Sequence, residues 1–339
     1  MKVLLSFGEV LVDLLPTDAT GKQHQPIAGG APANVAVGYA KLGGKSYFAG
    51  GISTDPYGVM LTAALAEQGV ATDYLAEVPG APTATVQVYL DEQGERTFEF
   101  NRNGTADMRY SKQHFDTIPW QGIDIFHLCS NTFTETALFN TSLYGAHCAN
   151  AFNKLVSFDV NLRLSLWQDT SLLAERVERC FSHTQVLKMS REEADYLALA
   201  RDKSLARARE MSLAEARSSS GKNSFEDYLQ FCLAQGVEVI LVTDGANPVQ
   251  CISARQRFSV PVPQIAAVDT TAAGDSFISG FLFALGLELE YDLEHLTLLQ
   301  RLESRAHLEA AVAFAIRCGA MTCGQKGAFP ALPTLAQIG

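Results

Sequence analysis

The chain has 339 residues, 47% of them hydrophobic, and a formal net charge of −11, as expected for a globular protein with a sizeable core. That charge argues against nucleic acid or an anionic membrane as the main partner, although local N–H groups and a metal ion can still hold an anionic nucleotide. Seven scattered cysteines without a CxxC pair read as reduced thiols, and no apolar run reaches the length of a membrane span, so the expectation is a soluble cytoplasmic protein.

Residues 3–15, VLLSFGEVLVDLL, alternate as a strand with Glu9 and Asp13 at or just beyond its end. The same two acids interrupt what could otherwise pass for a signal peptide. GGAPANVAVGYAKLGG (29–44) then reads as a glycine turn, a small-residue helix opened by Pro32, and a stop at Gly43 and Gly44. SYFAGGIS is a short strand, 57–69 a helix, and TATVQVYL with ERTFEF a β-hairpin. From about 123 the strands IDIFHLCS, LVSFDVNL, TQVLKMS and EVILVTDG alternate with helical stretches. That rhythm predicts a mostly parallel sheet with helices on both faces. The charged segment 200–224 reads as a surface insertion. The expectation is one α/β domain over 1–339 whose small β lid combines about 10–28 with 83–107.

GGKS at 43–46 resembles the end of a P-loop, but Tyr39 stands where the first Gly belongs and the segment ends a helix. More telling is VDTTAAGDSF at 268–277, ahead of an apolar helix. Unpaired N–H groups at a helix start favour an anion, and Ala272, Ala273 and Gly274 leave room for a phosphate to approach them. Asp275 could then take a proton from a nucleophile, although a capping Asp is the plainer reading of this stretch alone. Ligands of open parallel sheets bind beyond the carboxyl ends of the strands. Asp13, Asn34, Asp159, Asn161, Arg163, Ser190, Glu193, Thr243, Gly245 and Asp275 all fall there. Each has a dull reading by itself; Arg163, for instance, could simply pair with Asp159.

Two segments resemble the signatures of the ribokinase-like carbohydrate kinases. GGAPANVAVGYAKLGG is similar to the N-terminal one, and DTTAAGDSF to the C-terminal DTxGAGD. Within that family FDVNLRLSLW, FEFNRNGTADM, KMSREEADYL and GAMTCGQKGAFPALPT resemble fructokinase segments. The resemblance spans nearly the whole chain and implies a ribokinase-like fold and an ATP-dependent kinase forming fructose 6-phosphate. Asp275 would be the base, the N–H groups of residues 272–275 the anion site, and Arg163 a charge clamp. Asp13, Gly29, Gly30, Asn34, Arg102 and Asn161 would hold the sugar. Ser190, Glu193, Thr243 and Gly245 would serve the nucleotide, with Glu193 meeting Mg²⁺ through water. Asp269 and Thr271, with tail carbonyls near Lys326, would hold K⁺. A homodimer through the lid is the expected assembly.

Three departures stand out. Ala272 replaces the first Gly of GAGD, and is expected to reach the same N–H arrangement at negative φ. Pro248 replaces a Gly in the nucleotide loop, and Ile316 an Asn near the adenine. Two rival readings stay open: a kinase for another sugar or riboside (aminoimidazole riboside, 2-keto-3-deoxygluconate, ribose), and a catalytically weak sugar-binding regulatory protein.

Overall fold

The alternating stretch 3–15 forms two strands rather than one. In the computed structural model, which describes residues 1–16, 24–90, 96–208, 224–288 and 296–339, β1 (Val3–Phe7) and β2 (Leu11–Pro16) belong to different sheets. The exchange of partners explains the break: Gly8 N–H donates to the Ala49 carbonyl at 3.1 Å, whereas Val12 N–H donates to that of Ala84 at 3.0 Å. The apolar pattern carries straight across such a switch, because β1 is buried on both faces and β2 begins buried as well.

The remaining strands are β3 (His24–Gly29), β4 (Lys45–Ser53), β5 (Val70–Val78), β6 (Thr85–Leu90), β7 (Arg96–Asn101) and β8 (Ile125–Cys129). They are followed by β9 (Leu155–Asp159), β10 (Val186–Ser190), β11 (Val239–Asp244), β12 (Asn247–Ser253) and β13 (Arg257–Val260). The large sheet has the order β13-β12-β11-β10-β9-β8-β1-β4-β5, and the small one β3-β2-β6-β7. From β11 to β5 every pairing is parallel, while β12 and β13 add an antiparallel edge. Sequence reading passes over β5, β12 and β13. Pro248 therefore lies in a strand, not a loop, near the register shift between Val242 and Asp244 where a ladder tolerates proline.

Successive residues of the parallel strands feed opposite cores. Leu5, Phe126, Val156 and Leu187 face the helices Thr136–Ala151, Leu173–Phe181, Arg191–Ala208 and Ser224–Ala234. Leu4, Ile125, Leu155 and Val186 face the helices Ala31–Lys41, Ala273–Leu285 and Arg305–Thr322. Burial of each such side chain contributes roughly 1.5–3 kcal/mol. This two-faced burial is why the strands read as continuous apolar runs. Most of the segment 200–224 lies outside the described residues; the helix before it ends at Ala208 and the next starts at Ser224. Among the described residues no helix is long and apolar enough to cross a membrane.

Candidate active site

The helix Ala273–Leu285 begins at the carboxyl edge of the large sheet, with Asp275 in its first turn and 9% exposed. Its neighbour Ala31–Lys41 carries Asn34, whose Nδ2 donates to Asp275 Oδ2 at 2.7 Å. One turn further along both helices, a Cβ on Gly38 would stand 2.5 Å from Ser279 Oγ. Glycine at 38 thus lets the helices close until Asn34 reaches the carboxylate. Burial raises the Asp275 carboxyl above its ordinary range; the Asn34 hydrogen bond, Lys188 and Arg163 pull it back only in part.

Ahead of Asp275, Ala272 is the N-cap and lies in the left-handed region, φ 60 and ψ 8. The expectation of negative φ is therefore corrected. The turn from Asp269 into the helix requires this conformation, and alanine accepts it at a cost of about 1–2 kcal/mol. Ala273 N–H is taken up by the Thr270 carbonyl at 3.2 Å. Among the described residues no hydrogen bond claims the N–H groups of Ala272, Gly274 or Asp275, so three of the four expected donors stay available for an anion.

Beneath this helix start lies Lys188, in the middle of β10 and beside Asp159 of β9 in the parallel register. Its Nζ is 2.9 and 3.1 Å from the two Asp159 oxygens. A Cβ on Gly274 would come within 2.9 Å of the same Nζ, so glycine at 274 lets an ammonium sit against the helix start. Burial works against the lysine's charge, but the carboxylates of Asp159, Glu193 and Asp275 outweigh it and hold the ammonium above its ordinary value. For Asp159 burial wins over Lys188, and its carboxyl is pushed up to about 7.

The other expected residues divide clearly. Thr243, Gly245, Ala273, Gly274 and Ile316 line one cavity of about 580 Å³ between β11 and the helix start; Pro248 is not among its lining residues. Ser190 and Glu193 form a capping box at the helix Arg191–Ala208: Ser190 N–H donates to Glu193 Oε2 at 2.7 Å and Glu193 N–H to Ser190 Oγ at 3.2 Å. Arg163 is exposed and does not pair with Asp159; its Nη1 donates to the Leu162 carbonyl at 3.0 Å. Asn161 is buried beside it. Asp13 lies on β2 of the small sheet, where Gly29 of β3 packs against its carboxylate, and Gly30 is the N-cap of the Asn34 helix. Asp269 Oδ1 accepts from Thr271 N at 3.0 Å and Oδ2 from Gly327 N at 3.1 Å, tying this loop to the tail next to Lys326.

Arg102 is less open to a sugar than expected. It is 8% exposed, with Nε 2.5 Å from Asp107 Oδ2, Nη1 2.7 Å from the Asn131 carbonyl and Nη2 3.8 Å from Glu9 Oε2. Glu9 and Arg102 stand where the chain enters and leaves the small sheet, so the pair braces the connection between the sheets.

The pfkB carbohydrate kinase pattern matches residues 1–335. The chain belongs to the pfkB family of carbohydrate kinases. It is a phosphotransferase that uses an alcohol group as acceptor. It is 33% identical over 331 residues to a fructokinase of Vibrio alginolyticus, covering 98% of this chain and 96% of that one. The structure of a Xylella fastidiosa fructokinase with bound ATP superposes with a TM-score of 0.86 at 32% identity, covering 99% of this chain and 96% of the other. A Vibrio cholerae fructokinase double mutant holding fructose, ADP and potassium gives 0.81 at 29% identity, with 100% and 97% covered.

Sequence reading gives no role to Lys188, which lies against the helix start, or to Glu9, Asp107 and Asn131, which hold Arg102. Lys188 left one signal: a lysine inside the apolar run QVLKMS must be paired or lie at a site. The contacts of Glu9 and Asn131 left none, because they are made across segments far apart in sequence, whereas Asp107 stands only five residues from its partner Arg102.

Proposed function

We propose that the chain transfers the γ-phosphoryl group of ATP to the primary hydroxyl of fructose, giving fructose 6-phosphate and ADP. One observation carries the chemistry: the buried carboxylate of Asp275 stands inside a helix start whose free N–H groups face a nucleotide-sized cavity, with Lys188 against the same turn. Asp275 takes the hydroxyl proton as the sugar oxygen attacks phosphorus and the bond to the bridging oxygen of ADP breaks. A positioned base of this kind contributes ~10²–10⁴-fold. The N–H groups of Ala272, Gly274 and Asp275 and the ammonium of Lys188 meet the charge on the transferred group. Arg163, on the exposed turn beyond β9, is the second cation available to the phosphates.

Asn34, Asp13 and the backbone at Gly29 and Gly30 are the sugar-facing groups in this proposal, with Asn161 and Arg102 bounding them. Thr243 and Gly245 border the nucleotide. Asp269 offers a carboxylate and Thr271 a hydroxyl, a hard-oxygen set that suits K⁺. Mg²⁺ would come with ATP and keep most of its waters. The seven free cysteines suit a reducing cytoplasm. The edge strands β3 and β7 of the small sheet, which would close over the sugar as a lid, are the backbone a second copy would pair with.

The test is ADP release over a panel of fructose, ribose, 2-keto-3-deoxygluconate and aminoimidazole riboside. Fructose should lead ribose by ~10²-fold in kcat/KM, since unpaired polar groups penalise a poor fit. A different leader would replace the sugar and keep the kinase; no turnover with any of them would favour a binding protein.

A further inference from the structure

Asn161 is a non-glycine residue at φ 38, and it is buried. Such a conformer costs of order 1–3 kcal/mol and persists only where its surroundings over-determine it. Hydrogen bonds on both sides do so here. Val160 N–H donates to the Lys188 carbonyl at 2.9 Å, and Leu162 N–H donates to Glu193 Oε1 at 2.7 Å. A capping box needs only one oxygen of its glutamate, and Oε2 serves it through Ser190 N–H. The second oxygen reaches 31 residues back along the chain.

We propose that Glu193 is a positioning residue that clamps the turn Asn161–Leu162–Arg163 to the start of the helix Arg191–Ala208. Both short bonds are charge-assisted, and each runs from a backbone N–H to a separate carboxylate oxygen. The left-handed Asn161 is thereby trapped between Lys188 on one side and Glu193 on the other. Arg163, the next residue but one, leaves the turn in a fixed direction. Glu193 thus acts on the reaction through the backbone of this turn, and its carboxylate is already committed before any metal arrives.

The rate effect rests on the kinase reading; a measurement on the unliganded protein keeps the clamp testable apart from it. Glu193→Gln keeps one acceptor oxygen but sets an NH₂ against the other N–H. Glu193→Asp keeps the charge but is one methylene too short to span both. In each variant, hydrogen exchange of a peptide covering 160–166 should rise at least tenfold while the peptides of β8 and β11 stay as in the wild type. The expected kcat loss is about 10²-fold, the scale of a roughly 1 Å misplacement, at an unchanged half-saturating Mg²⁺ concentration. A tenfold rise in that Mg²⁺ concentration, with kcat restored at saturating metal, would overturn the proposal in favour of a metal role. Exchange at 160–166 unchanged in both variants would overturn it outright.

Discussion

Asn34 and Asp275 are 241 positions apart in the chain, yet the amide of one donates to the carboxylate of the other at 2.7 Å. The contact joins the two signature segments and tempers the protonation of the proposed base. Burial holds the Asp275 carboxyl above its ordinary range, and Asn34 opposes that. A base works ionised, so a raised carboxyl loses activity at a higher pH than an ordinary Asp near 3.9. The acid limb of kcat/KM should therefore lie above pH ~4 and move further up in Asn34→Ala. Asp275→Asn should lose ~10²-fold or more in kcat with little change in sugar KM. A pH–rate profile of the three proteins decides it; a limb moving down in Asn34→Ala would break the link.

Lys188→Met should cost both rate and stability. Removing one partner of a buried ion pair typically costs 3–5 kcal/mol, here about that much for Asp159 left alone. The sign with pH follows from the carboxyl. Its folded pKa is already about 7 with Lys188 in place, well above the unfolded value near 3.9, and it rises further without the lysine. A group raised on folding favours the protonated folded state, so the stability of the variant falls as pH rises between the two values. Urea melts at pH 6 and pH 8 should show the larger deficit at pH 8. Equal deficits would mean that Asp159 is not the group left unpaired.

Ala272→Gly removes a left-handed alanine. The relief of about 1–2 kcal/mol is offset by roughly 0.4–1 kcal/mol of extra freedom in the unfolded chain. A small net gain in stability is expected. Because the native turn already presents its N–H groups, kcat should change by less than about tenfold, equivalent to 1.4 kcal/mol. Ala272→Val, with a β-branched side chain at φ 60, should melt lower than either. Melting curves beside steady-state kinetics test all three proteins, and a large rise in kcat for the glycine variant would show that the native loop is the weak point of the enzyme.

Asp269 links its own loop to Gly327 of the tail, and a bound K⁺ would steady that junction. Activity in K⁺ should exceed activity in a large organic cation at matched ionic strength, and Asp269→Asn should erase the difference. Equal rates in the two cations for the wild type would rule out the dependence.

Most strands of the parallel sheet, the two signatures and the helix start at Asp275 were legible in the sequence because each depends on residues within a few positions of one another, whereas β5, β12 and β13 were not. A short apolar run marks a strand buried on both faces, and an Asp after small residues marks a helix start open to an anion, whatever surrounds them. Tertiary structure decided what local chemistry leaves free. The 3–15 stretch divides at Gly8 only because its two halves find different partner strands. Lys188 meets Asp159 through the order of β9 and β10, and it meets Gly274 through a helix laid over them. Ala272 takes a positive φ because the chain must turn from Asp269, held by Gly327, into that helix. Glu193 spends its second oxygen on Leu162, a choice made by the nearness of two strand ends and invisible in a capping box. Local preferences are worth tenths of a kcal/mol to about one, while a buried pair that is left open costs several; wherever the two meet, the long-range contact sets the geometry.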